Sequence, residues 1–122
     1  MARILVVDDE PANRQLVAAI LQPHGHEVFA AANAADALRD ARDACPDLII
    51  VDLFLPGKGG VDLIKTLRAA PPTREAKIAL YTASQPDRAL RDFMESNGIV
   101  SLIPKPSEPG VLLRIVNDAL AT

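Results

Sequence analysis

The sequence predicts a doubly wound α/β sandwich, an open parallel sheet with helices on both faces. The hydrophobic pattern alternates between short unbroken runs and helical spacing through five units, and four of the five runs lead into acids, a hydroxyl or a lysine. Short all-apolar runs suit strands buried on both faces. Parallel strands joined by helices cross over right-handedly, so the helices end up on both sides of the sheet.

The first strand is read at 3–7, Arg-Ile-Leu-Val-Val, and stops at Asp8 and Asp9. Pro11 fits a first helical turn, with Leu16, Val17, Ile20 and Leu21 as the apolar face until Pro23 and Gly25. Residues 27–30 form a short second strand. Asn33 is placed to cap the next helix with Asp36 three residues on, and Ala37, Leu38 and Ala41 supply its stripe up to Pro46. The third strand, 48–51, stops at Asp52. Leu55 to Gly60 is loop by composition, followed by a helix with Val61, Ile64 and Leu67 on one side, ended by Pro71 and Pro72. The fourth strand, 77–81, meets Thr82. A helix over 87–96 turns Leu90, Phe93 and Met94 inward and stops at Asn97-Gly98. The fifth strand, 100–103, leads to Lys105, and Ser107 is placed to cap a last helix carrying Leu112, Ile115, Val116 and Ala119.

At 122 residues the chain has the size of one domain. Hydrophobic residues at 49% and charged ones at 24% exclude a disordered chain, and a net charge of −3 gives no basic footprint for nucleic acid. No apolar stretch approaches the roughly 20 residues of a membrane span, and Met1-Ala2-Arg3 leads straight into a strand, so a cytoplasmic chain is expected. Cys45 is the only cysteine; an internal disulfide is excluded, and its setting suits a small filler without a redox role.

The unusual polar residues all follow strands one, three, four and five, at the sheet edge where open parallel sheets bind ligands: Asp8 and Asp9, Asp52, Thr82 and Ser84, and Lys105. Singly, each has an ordinary explanation as a helix cap, a strand end or an exposed lysine. Together, three carboxylates repel strongly unless a cation joins them, and a hard divalent ion such as Mg²⁺ takes one or two carboxylates, waters and a phosphate. Lys105 supplies a point charge for a phosphoryl oxygen, and Thr82 a hydroxyl donor. Asp52 stands alone after its strand and is the natural nucleophile for an aspartyl phosphate, stabilised by metal, lysine and backbone N–H groups. His24 and His26, in the loop after the first helix, fall at the opposite end of the sheet and read as a solvent-exposed turn.

Four motifs in order resemble the receiver domains of bacterial response regulators, of the chemotaxis-receiver type: Val6-Val7-Asp8-Asp9-Glu10; Asp52 with Leu53, Pro56 and Gly60; Thr82-Ala83; and Lys105-Pro106. The resemblance runs end to end and implies one receiver domain over 1–122, with a five-stranded sheet of flavodoxin-like order 2-1-3-4-5. It implies that Asp52 accepts a phosphoryl group from the histidine of a kinase or phosphotransfer protein. Asp9, Asp52 and the Phe54 carbonyl would hold Mg²⁺, with Asp8 acting directly or through water. Lys105 would pair with the phosphoryl group, Thr82 would move toward it, and the Ala83 amide, with the Phe54 backbone, would help hold it. The Lys105–Pro106 peptide is expected to be cis. Such a domain is a switch rather than a turnover enzyme, acting on a downstream effector domain or protein through the fourth helix, fifth strand and fifth helix. A homodimer, and a stand-alone or excised origin, stay open.

Several positions depart from the family pattern. Leu102 stands where an aromatic residue is common, and Tyr81 cannot replace it, since strand neighbours face opposite ways. Pro104 removes a backbone donor, which fits an edge strand. Phe54 and Ser84 sit where similar domains tune water access, and an apolar ring cannot orient a hydrolytic water. Two alternatives remain: a phosphorylation-independent adaptor, compatible with Leu102, and an aspartyl-phosphate phosphohydrolase, disfavoured because Phe54 occupies the place of a second acid.

Overall fold

In the computed structural model, which describes residues 2–57 and 59–122, five parallel strands form one sheet in the order β2-β1-β3-β4-β5. They are β1 (Arg3–Val7), β2 (Glu27–Ala31), β3 (Leu48–Asp52), β4 (Lys77–Thr82) and β5 (Ser101–Pro104). The helices are α1 (Pro11–Leu21), α2 (Ala34–Ala44), α3 (Gly59–Ala69), α4 (Arg88–Ser96) and α5 (Pro109–Ala121). Met1 and Lys58, read at the sequence level as strand lead-in and loop, lie outside the described residues.

The central strands are apolar throughout because both their faces are covered. Alternate residues feed two cores: Ile4, Val6, Ile50, Ala79, Tyr81 and Ile103 meet Val17 and Leu21 of α1 and Leu112 and Val116 of α5. On the other face Leu5, Val7, Ile49, Val51, Ile78 and Leu80 meet α2 and α3 through Ala37, Ala41, Leu63, Ile64 and Leu67. α4 is seated differently. None of its residues is fully buried; Leu90, Phe93 and Met94 pack only partly against the second core. Its anchorage comes from Arg68 of α3, whose guanidinium donates to the carbonyls of Asn97 at 2.7 Å and Gly98 at 3.3 Å, and also to those of Arg74 and Ala76.

Elements fall where the pattern predicts, with local corrections. Asn33 and Asp87 cap α2 and α4, accepting from the amides of Asp36 and Leu90 at 2.8 Å each. Ser107 caps nothing: α5 starts two residues later at Pro109, and the Ser107 hydroxyl donates back to the Pro104 carbonyl. β5 begins at Ser101 rather than Val100 and runs on through Pro104, which an edge strand tolerates because its outer side has no partner. Leu16 is 42% exposed, since Val17, Ile20 and Leu21 already fill the α1 seat on the sheet. Cys45 is exposed rather than a filler: it closes α2 in the left-handed region (φ 47°), and its amide donates to the Ala41 carbonyl. His24 is exposed as expected, but His26 is half-buried, with Nε2 3.2 Å from Asn117 Oδ1 of α5. Among the described residues no helix is long and apolar enough to cross a membrane.

Candidate functional site

The strand order decides where the acids meet. The chain leaves β1 toward β2, then crosses back over β1 to β3, so the connections after β1 and β3 run to opposite sides and open a crevice between their carboxyl ends. Ile4 to Val7 pair in register with Leu48 to Val51, which brings Asp8 and Asp52 to equivalent positions on that edge. Asp8 is fully buried, Asp52 is 6% exposed and Asp9 reaches solvent. One carboxylate oxygen from each of the three lies within 4.8 Å of the others.

Two neighbours hold these carboxylates by their backbones. The Glu10 amide donates to Asp8 Oδ1 at 2.9 Å, so Asp8 fixes the turn into α1 without capping the helix, and the Phe54 amide donates to Asp52 Oδ1 at 3.0 Å. Arg14 of α1 donates to the Asp8 carbonyl at 2.8 Å. Lys105 completes the cluster. Its ammonium lies 2.7 Å from Asp8 Oδ2 and 3.3 Å from Asp52 Oδ2, with the side chain 18% exposed. Partial burial alone would depress this lysine; the hydrogen bond to Asp8 and the charges of Asp52 and Asp8 outweigh it and raise the ammonium above its ordinary value. Among the described residues, these three carboxylates against the Lys105 ammonium leave an excess of negative charge.

Thr82 ends β4, is 2% exposed, and its hydroxyl oxygen accepts from the Ser84 amide at 3.1 Å. Its carbonyl accepts from the Lys105 amide at 3.0 Å, which ties the β4 and β5 ends together just before the cis Lys105–Pro106 peptide. Ala83 is exposed beside it. Phe54 is 65% exposed at the rim of an apolar cleft of about 530 Å³ that Leu53, Val61, Leu90 and Phe93 also line. Gly60 explains its own identity: a Cβ there would lie 2.3 Å from the Asp52 carbonyl oxygen and 3.0 Å from Leu53 Cα.

The structure therefore brings together Asp8, Asp9, Asp52 and Lys105, and sets Thr82 at the end of the adjoining strand. Sequence reasoning missed Arg14 and gave Tyr81 no role at this edge. Tyr81 faces away from Thr82 as alternation requires, yet the Lys105 ammonium lies over its ring, 4.6 Å from the centroid. An aromatic residue one place before the strand-ending threonine was the available signal.

Magnesium fits this donor set. Three hard carboxylate oxygens within 4.8 Å of one another would suit a hard divalent cation that keeps part of its water shell.

The family model described as response regulator receiver domain matches residues 4–117. The chain is a response regulator receiver domain. It is similar to Protein PilH of Pseudomonas aeruginosa, 31% identical over 121 residues and 99% of each chain. It is also similar to the DNA-binding response regulator MtrA of Mycolicibacterium smegmatis, 39% identical over 118 residues, covering 97% of this chain and 50% of MtrA. Among solved structures, the chemotaxis response regulator CheY4 of Vibrio cholerae superposes with a TM-score of 0.90 at 30% identity, covering 98% of each chain. This receiver domain thus spans nearly all of PilH but about half the length of MtrA. Its family is a signalling family of two-component systems, not one of turnover enzymes, and binds Mg²⁺ at an acidic pocket of the kind seen here. Response regulators interact with histidine kinases and effectors.

Proposed function

We propose that residues 1–122 act as one phosphoacceptor domain in which Asp52 takes a phosphoryl group from the histidine of a kinase or phosphotransfer protein. The observation that carries this reading is Lys105, whose ammonium stands within 3.3 Å of both Asp8 and Asp52 at the crevice between β1 and β3. A nearly buried carboxylate held by the Phe54 amide and partnered by an ammonium is positioned for nucleophilic attack.

In this mechanism an Asp52 carboxylate oxygen forms a bond to phosphorus as the donor's P–N bond breaks, and the imidazole nitrogen keeps the electron pair. Asp9, Asp52 and the Phe54 carbonyl, with Asp8 directly or through water, would hold Mg²⁺, which neutralises charge on the phosphoryl oxygens when bound. Lys105 supplies the second counter-charge. Thr82, whose hydroxyl oxygen accepts a bond from Ser84 in the resting state, turns its donor toward the phosphoryl group, helped by the amides of Ala83 and Phe54. Adding about −1.5 to −2 of charge at Asp52 reorganises the Thr82 and Lys105 loops. α4, seated without a fully buried residue, is the element most easily shifted, and with β5 and α5 it forms the surface offered to an effector. Phe54 offers no group to orient a hydrolytic water, so spontaneous loss of the phosphoryl group goes unassisted by that side chain. The reading carries a cytoplasmic location.

Incubation with acetyl phosphate and Mg²⁺, followed by intact-mass measurement, tests it. The expected phosphoryl adduct is absent in Asp52→Asn and suppressed by chelator. No adduct in a protein that binds Mg²⁺ overturns the reading in favour of a phosphorylation-independent adaptor.

A further inference from the structure

Lys105 sits on a four-carbon stem rooted in the loop after an edge strand, and something must keep its ammonium in the crevice while the site changes hands. Among the described residues its ammonium has two ion-pair partners, Asp8 at 2.7 Å and Asp52 at 3.3 Å, and lies over the Tyr81 ring with the centroid at 4.6 Å. Under the phosphoacceptor reading both carboxylates take on other duties, one toward a metal and the other toward phosphorus. The ring alone stays as it is.

Its position is fixed by the sheet. Tyr81 is 2% exposed, pairs in register with Asp52 on one side and Ile103 on the other, and packs among Val6, Ile50 and Ile103. The negative face of an aromatic ring attracts an ammonium, more strongly where water is partly excluded, as it is around the 18%-exposed Lys105 side chain. Aliphatic residues of similar bulk would fill the same space in the core without that attraction.

We propose that Tyr81 is a positioning residue for phosphoryl acceptance: its ring face holds the Lys105 ammonium at the Asp8–Asp52 crevice, ready for the incoming phosphoryl oxygen. Lys105 touches the reacting group, and Tyr81 acts through Lys105. The proposal rests on the phosphoacceptor reading, and its test separates the two.

Tyr81→Leu is expected to slow phosphorylation by acetyl phosphate by between about twofold and thirtyfold, the range of a partly desolvated cation–π contact. Tyr81→Phe, which keeps the ring, should stay within about twofold of the wild type. The second readout needs no phosphoryl chemistry. In metal-free, unphosphorylated protein, the Lys105 ammonium protons are expected to show ring-current-shifted, slowly exchanging NMR signals that persist in Tyr81→Phe and vanish in Tyr81→Leu. If the leucine variant fails to fold, a series of increasingly fluorinated phenylalanines at position 81 keeps the shape and weakens the ring face stepwise; the rate should fall along the series. A flat series, a leucine variant with unchanged rate and signal, or a phenylalanine variant as slow as leucine overturns the proposal. If the wild type itself accepts no phosphoryl group, the phosphoacceptor reading fails, and the ammonium signal still decides whether the ring holds Lys105.

Discussion

Asp9→Asn isolates the charge imbalance at the heart of the site. Asp9 is the solvent-facing member of a trio whose oxygens lie within 4.8 Å of one another. At that separation two unit charges repel by about 0.9 kcal/mol even at the dielectric of water, so relieving both repulsions is worth about 1.7 kcal/mol. Attraction to the Lys105 ammonium offsets part of this, leaving a gain of about 1 kcal/mol for the metal-free fold. With an unfolding entropy of roughly 2.1 cal/mol/K per residue, 1 kcal/mol corresponds to about 4 °C for a chain of 122 residues. The variant should therefore melt about 4 °C higher than the wild type in chelator at low salt, with the difference shrinking as ionic strength rises. Mg²⁺ should reverse the ranking. At a hundredfold excess over its dissociation constant it stabilises the wild type by about 2.7 kcal/mol, or about 10 °C, whereas a variant lacking one ligand responds far less. Differential scanning calorimetry with and without Mg²⁺ is the assay. A metal-free Tm at or below that of the wild type, or an undiminished Mg²⁺ response, refutes the reasoning.

Four further outcomes are expected. Gly60→Ala forces a methyl to within 2.3 Å of the Asp52 carbonyl oxygen, a backbone atom that cannot rotate away, and should cost about 1–3 kcal/mol in urea unfolding; an unchanged midpoint would show that the β3–α3 loop yields. Arg68→Met removes the donor to four carbonyls and should cost about 2 kcal/mol, with amide exchange accelerating first at Gly98 and Ile99 rather than uniformly. Burial raises the Tyr81 phenol, against the pull of Lys105, and its charged partners raise the Lys105 ammonium. Groups that hold their protons more tightly when folded contribute stability below their unfolded values, here 10.0 and 10.5, and lose it as pH climbs through the raised ones. Urea midpoints should fall above about pH 10, less steeply in Tyr81→Phe, where one of the two titrations is gone. Phe54→Asn, which puts an amide beside the acceptor, should shorten the phosphoryl lifetime in a mass-spectrometric decay; an equal lifetime would mean that this position does not govern water access.

Much of the molecule is legible without coordinates because its signals are local. Apolar runs of four residues can hide only inside a covered parallel sheet, and Asn33 caps its helix through a bond to the amide three residues on. Asp8, Asp9, Asp52, Thr82 and Lys105 stand out because each follows a run that could only be a strand. Leu16 differs from its reading because distant chain sets the α1 seat, whereas Ser107 and Cys45 differ because nearby carbonyls, those of Pro104 and Ala41, claim them in a backbone geometry that side-chain type does not reveal. Leu16 was surplus to an α1 seat already filled, and Ser107 found the Pro104 carbonyl before any helix began.

The opening pattern of strands ending in acids determined, from the sequence alone, the fold class, the sheet edge that carries chemistry and the residues that reach it. Only the tertiary structure decided how they are wired. The reversal of strand order between β1 and β3 opens the crevice, Lys105 is drawn to both Asp8 and Asp52, and Tyr81 lies beneath that ammonium. The physical reason is range: strand and helix follow from the spacing of neighbours, whereas an ion pair between Lys105 and Asp8 spans 97 residues of chain and exists only once the sheet has set its register.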